Sequence, residues 1–168
     1  MMEKLACSVS RTIQTDLVLP NDTNSHHTLF GGALMSRIDR VAGIAAMKHC
    51  RKALVTASTD SVDFLHPITL KDAVTLEAFV TWTGKSSMEV FVNVTAEDTL
   101  TGESQTAATS FLTFVALDEE GNPTAVPSVF PETEEEKYLF ETGEERAHNR
   151  KLRRGQSKHF AQAFGRKK

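Results

Sequence analysis

A carboxylate stands in this sequence where it is expensive to keep. Gly31-Gly32 opens an apolar segment from residue 33 to about residue 50, carrying Leu34, Met35, Ile38, Val41, Ala42, Ile44, Ala45, Ala46 and Met47. The segment lacks strict alternation and reads as a helix, apolar around most of its circumference and suited to the middle of a fold. Asp39 sits mid-helix, one turn from Met35, Ala42 and Gly43 and two turns from Ala46. A carboxylate on an apolar stripe is costly unless paired or hydrogen-bonded, and burial favours its neutral form, which suits it to proton transfer. The residues leave another reading open: an ion pair with Arg37, Arg40 or Lys48, or an Asp facing a wet contact between subunits.

The helix start is the second chemical element. Gly31 and Gly32 let a ligand approach the backbone, and the first turn of a helix offers unpaired N–H groups. Such a terminus favours an oxyanion or a polarised carbonyl oxygen. Asp39 lies about 12 Å further along the same helix at 1.5 Å per residue. One site joining both therefore needs the helix of a second subunit, which implies a dimer.

Other chemistry finds little support. No Gly-x-Ser-x-Gly elbow, phosphate loop or dinucleotide fingerprint is present. His26-His27 lacks a further metal-ligand set, so no metal is expected. Cys7 and Cys50 have no metal spacing and read as bystanders. His66, before Pro67, reads as structural, and Phe64 and Trp82 as core or subunit-contact aromatics.

These groups need a scaffold. A β-branched run over residues 8–19, stopped by Pro20, predicts a strand, and Asn21 to Thr28 a polar loop. After the helix come four strand-like runs, at about 53–65, 73–83, 88–98 and 104–117, separated by turn signals such as Thr83-Gly84-Lys85 and Thr101-Gly102-Glu103. That order predicts an α+β fold, an antiparallel sheet around one central helix. Thr133, followed by Glu134, Glu135 and Glu136, predicts the N-cap of a further helix to about Arg153. Its end is basic, with Arg146, Arg150, Lys151, Arg153 and Arg154; it reads as a solvated helix end, with contact to a ligand's phosphates as the other reading. Residues 1–153 then form one domain, and 154–168 a basic tail expected to be partly disordered.

The chain has 168 residues, 40% apolar and 24% charged, with a net charge of −3. That is enough for one core, and the charge argues against a dedicated nucleic-acid binder. No apolar run is long enough to span a bilayer, and residues 1–10 show no secretory h-region. The chain reads as cytosolic.

An ordered set of motifs resembles a known family. The run Asp22-Thr23-Asn24, then Phe30-Gly31-Gly32-Ala33-Leu34-Met35 and Ile38-Asp39, is similar to the helix motif of the hotdog-fold acyl-CoA hydrolases. Matches continue through Thr56 to Phe64, Gly84 to Val90, and Phe114 to Asp118, ending with Gly121-Asn122-Pro123 and Val126-Pro127. The resemblance covers about residues 10–153. It implies the hotdog fold, an antiparallel sheet wrapped around a long central helix, with sites at a homodimer interface and a trimer of dimers as the assembly.

The resemblance implies an acyl-CoA thioesterase. Asp39 maps onto the catalytic helix aspartate, as general base or as nucleophile. Asn24, Thr28, Gly31 and Gly32 map onto the loop and helix N-terminus opposite it; some relatives have Asn or Asp at position 28. The turn Gly84-Lys85-Ser86-Ser87 is similar to the segment that contacts the pantetheine and phosphates of coenzyme A. No cofactor is implied, because coenzyme A is part of the substrate. Two alternatives are a non-catalytic acyl-CoA binder and an acyl-thioester dehydratase. The latter needs a helix histidine, and here only His49, at the helix end, is available.

Overall fold

The structure is a computed structural model and describes residues 3–165. Its order is β1 (Lys4–Ala6), α1 (Cys7–Ser10), β2 (Thr12–Leu17), α2 (Gly31–Cys50), β3 (Ala53–Phe64), β4 (Asp72–Thr83), β5 (Ser87–Asp98), β6 (Ser104–Leu117), β7 (Ser128–Phe130), α3 (Glu134–Glu141) and α4 (Gly143–Phe164). The main sheet runs β2-β4-β5-β6-β3, antiparallel throughout, and β1 pairs with β7 in parallel. This is the antiparallel sheet around one central helix that the strand and helix pattern predicts, and the hotdog architecture that the resemblance implies, with α2 as its centre.

Alternation builds the core. One face of the sheet presents Val74, Leu76, Ala78 and Val80 from β4, Val90, Val92 and Val94 from β5, and Leu112 and Phe114 from β6. They pack on Leu34, Ile38, Val41, Ala42 and Ala45 of α2, and the small residues let the sheet come close. Each large aliphatic group so buried contributes about 1.5–3 kcal/mol. The helix stops at Arg51, which takes the left-handed conformation (φ 52°) and donates its amide to the Met47 carbonyl at 2.9 Å.

The strand predicted over 8–19 begins as something else. Residues 7–10 form the short helix α1, and the strand is confined to Thr12–Leu17. Ser10 explains the change: its hydroxyl donates to the Cys7 carbonyl and accepts from the Val80 amide, both at 2.8 Å. The segment is thus pinned to β4 by a side chain instead of a ladder.

The C-terminal part also departs from expectation. Thr133 caps α3, as the sequence predicts, and forms a capping box with Glu136, but the helix breaks at Thr142. Gly143 then passes under Trp82, where a Cβ would meet the Trp82 side chain at 2.6–2.8 Å. α4 continues past Arg153 to Phe164, so the tail expected to be partly disordered is helical through that residue; residues 166–168 lie outside the described part.

A buried ionic network clamps α4 onto the outer face of the sheet. Glu89 of β5, with a fully buried side chain, accepts from Arg146 at 2.8 Å and from Arg150 at 3.5 Å. Asp60 of β3 takes Arg150 at 2.9 Å and Arg153 at 2.5 Å, and Thr113 donates to it at 2.7 Å. Burial works against the Asp60 charge, but donors on Ser58 and Thr113 and the Arg150 guanidinium hold its pKa below the usual carboxylate range. Three of the predicted basic residues are therefore structural partners of carboxylates. Removing one charge from such a network strands its partners. Glu89→Ala is expected to lose about 3 kcal/mol in urea unfolding at fixed protein concentration, followed by the fluorescence of the single tryptophan, Trp82. A loss below about 1 kcal/mol would mean the network is solvated.

His49 gives the fold a pH dependence. It is 1% exposed, its Nε2 lies 2.9 Å from the Pro127 carbonyl, and its Nδ1 has no partner among the described residues. Burial, opposed by that bond, lowers its pKa from 6.5. The unfolded chain then binds a proton that the folded chain refuses, so stability falls as pH drops below about 6.5. Thermal melting between pH 7.5 and 5 should show a steeper loss in the wild type than in His49→Gln, which keeps the donor but does not titrate. Parallel curves would remove His49 from this role.

Candidate active site

Asp39 is not in the core. It lies on the side of α2 that the five strands leave uncovered, with Gly32, Met35, Ser36, Arg40 and Met47 also exposed there. The burial expected of it within one chain is therefore corrected: Ala42, Gly43 and Ala46 face inward, and Asp39 does not. The suggested ion pairs are absent too. Arg37 binds Asp22 at 2.6 Å, Lys48 donates to the Arg11 carbonyl at 3.0 Å, and among the described residues Asp39 makes no salt bridge. Its Oδ1 instead accepts a 2.9 Å hydrogen bond from Thr56 Oγ1 of β3. A neutral donor on one oxygen orients a carboxylate and leaves its charge and second oxygen available.

Thr56 escaped the sequence reading. It is one hydroxyl among several in a strand-like run. Only the pairing of β3 with β6, Thr56 opposite Phe114, turns it toward the helix.

Asn24, Thr28 and Gly31 do come together. They line a cleft of about 350 Å³ with Phe64, His66 and Pro67. Asn24 organises the loop: its Oδ1 accepts from the amides of His26 at 2.9 Å and Thr28 at 3.3 Å, and its Nδ2 lies 2.9 Å from Thr28 Oγ1. That leaves one Nδ2 hydrogen for a ligand. Among the described residues no side chain caps α2, so the amides of its first turn stay open to an acceptor. A Cβ on Gly31 would touch the Phe64 ring at 3.5 Å, and one on Gly32 would press on the Phe30 ring at 2.6 Å. The cleft and Asp39 are separate in one chain, held apart by two turns of α2.

The turn Gly84-Lys85-Ser86-Ser87 sits at the other end of the sheet from this cleft. The Gly84 amide donates to the Ser87 carbonyl at 2.9 Å, and Lys85 is exposed. His26 and His27 are exposed, and among the described residues no cluster of three metal-ligating side chains includes them. Cys7 is buried, and burial together with the Glu136 charge pushes its thiol up to about 12. His49 points to the Pro127 carbonyl, away from the exposed stripe, which disfavours a dehydratase.

Known proteins resemble this chain in sequence and fold. The profile described as the thioesterase superfamily matches residues 26–103. A Bacillus subtilis protein named an uncharacterised acyl-CoA thioester hydrolase is 58% identical over 95% of this chain and 92% of its own length. The Staphylococcus aureus acyl-CoA hydrolase, solved with butyryl coenzyme A and coenzyme A, superposes with a TM-score of 0.93 at 46% identity, covering 97% of this chain and 99% of that one. A hexameric acyl-CoA thioesterase is 53% identical with a TM-score of 0.88, covering 90% of this chain and 97% of its own. The Staphylococcus enzyme has also been solved as alanine variants at an asparagine, an aspartate and a threonine, spaced by 15 and then 17 residues. Asn24, Asp39 and Thr56 have the same order and the same spacings. The chain belongs to the thioesterase superfamily, as a hotdog-fold member of its acyl-CoA thioester hydrolases.

Proposed function

We propose that this protein hydrolyses fatty acyl-CoA to a free fatty acid and coenzyme A, at a site shared between two copies of the chain. The carrying observation is the Asp39–Thr56 pair, held on an uncovered helix stripe beside the free edge of β3. A strand of 12 residues with one unpaired side is a template for another chain. A two-fold axis that joins two such edges runs them antiparallel. The Phe64 end of one β3 then lies beside the Ala53 end of the other. That brings the Asn24–Gly31 cleft of one protomer to Asp39 and Thr56 of its partner. The hexameric relative supports a further assembly of such dimers into a trimer.

In this site the thioester carbonyl oxygen rests on the first-turn amides near Gly31 and Gly32, with the free Nδ2 hydrogen of Asn24 alongside. Thr28 holds Asn24 in place. Asp39 takes a proton from water as its oxygen attacks the carbonyl carbon, or attacks that carbon itself to give an anhydride that water then opens. Either way the C–S bond breaks and coenzyme A leaves as the thiol. Thr56 fixes the carboxylate by donating to it. Lys85, with the Gly84, Ser86 and Ser87 turn, lies on the path that pantetheine takes out of the site. The route uses no metal and no bound cofactor. No helix of the described residues is long and apolar enough to cross a membrane, and we place the reaction in the cytosol.

Asp39→Asn is expected to cut kcat by at least about 10³-fold in a free-thiol assay while the melting temperature stays near the wild-type value. Thr56→Ala, which loosens the carboxylate without removing it, should cost about 10-fold. Full activity in Asp39→Asn would refute the role. Sharing of the site is tested by mixing two inactive variants, Asp39→Ala and Asn24→Ala, through co-expression. Random dimers restore one intact site in half of the assemblies, so about a quarter of wild-type activity should return. No recovery would place both residues in one chain's site.

A further inference from the structure

Part of the basic face of α4 is left over once the clamp is formed. Arg146, Arg150 and Arg153 are spent on Glu89 and Asp60, but Lys151, Arg154 and Lys158 are exposed and make no ion pair among the described residues. Spaced 3 and 4 apart, they form one stripe about 10 Å long. Ala147 and Gly155 lie on the same face, so little stands between that stripe and the sheet. Trp82 forms the opposite wall and the Ser87 hydroxyl is also at hand, around a groove of about 530 Å³. Trp82 is held from behind by Gly143, and the edge of its six-membered ring approaches Gly84.

We propose that this groove binds the nucleotide end of coenzyme A, with the adenine against Trp82 and the phosphates on Lys151, Arg154 and Lys158. The inference rests on the acyl-CoA reading above and extends it to a segment outside the hotdog sheet. An aromatic wall facing a row of unpaired cations matches a ligand that carries a flat base and several phosphates. A bare fatty acyl chain or a pantetheine arm offers neither. The groove also adjoins the Gly84–Ser87 turn, so a substrate leaving Asp39 along that turn arrives with its phosphates at α4. The groove then sets selectivity for thioesters of coenzyme A over those of smaller thiols.

The experiment compares one acyl group on three carriers: coenzyme A, 3′-dephospho-coenzyme A and pantetheine. The variant is the triple Lys151→Gln, Arg154→Gln, Lys158→Gln, whose sites are exposed and outside the clamp. For acyl-CoA its KM should rise about tenfold or more with kcat retained, and the rise should shrink at high salt. The effect should be smaller on the dephospho substrate and absent on acyl-pantetheine. Equal loss on all three carriers, or no change on acyl-CoA, overturns the proposal. Calorimetry with coenzyme A alone gives a readout that does not need turnover: weaker binding by the triple variant supports the groove, and unchanged binding overturns it. Asp39→Asn separates the two readings, because it should lose turnover on every carrier and still bind coenzyme A.

Discussion

Five strands do not close around a helix, and much of this molecule follows from that geometric shortfall. The sheet covers the faces of α2 that carry Ile38, Val41, Ala42 and Ala45, and leaves a stripe from Gly32 to Met47 open between β2 and β3. A helix half-buried in this way exposes Met35 and Met47 at 44% and 46%. Asp39 lies in the same stripe, where a partner's surface would bring apolar groups around it. Its charge is tolerable in a lone chain because water reaches it. The proposed pairing through β3 would change its surroundings.

The outer face of the sheet solves a different problem. Phe79, Phe91 and Phe111 form a row across three strands, with ring centroids 6.0 and 5.1 Å apart, and a guanidinium lies over each end: Arg11 on Phe79 and Arg146 on Phe111, both at 4.4 Å. Arg11 also binds Glu77 and Glu136, so it ties β4 to the first turn of α3. Arg146 does the same for α4 through Glu89. The two C-terminal helices are therefore held by cations that cover aromatic rings with their faces and satisfy carboxylates with their edges.

Much of the architecture was legible in the residues. Strand-like runs and the turn signals between them located β4, β5 and β6 to within a residue. The Thr133 N-cap was readable because capping is a local hydrogen-bond pattern. The losses came from contacts remote in sequence. Nothing near Ser8 announces α1, which depends on Ser10 reaching Val80. The break at Thr142 depends on Trp82, far upstream, needing a glycine against it. At the site, Asp39 and the glycine pair could be singled out by type and spacing, and Asn24 only through the family resemblance. The exposure of Asp39 could not, because an apolar-looking helix does not reveal which side its sheet leaves bare. Thr56 was hidden for a related reason: a hydroxyl in a strand acquires meaning only from the register that aims it.

β3 has a double duty. On one face it holds Thr56 against Asp39, and four residues later, past an irregularity in its pairing, its Asp60 receives Arg150 and Arg153 from α4. The strand is thus a short beam loaded on both sides, with the carboxylate's donor at one point and the helix's anchor at the next. An anchor of α4 and the hydroxyl that aims the acid belong to one strand, so the outer surface of the protein and the alignment of its carboxylate share a single structural element.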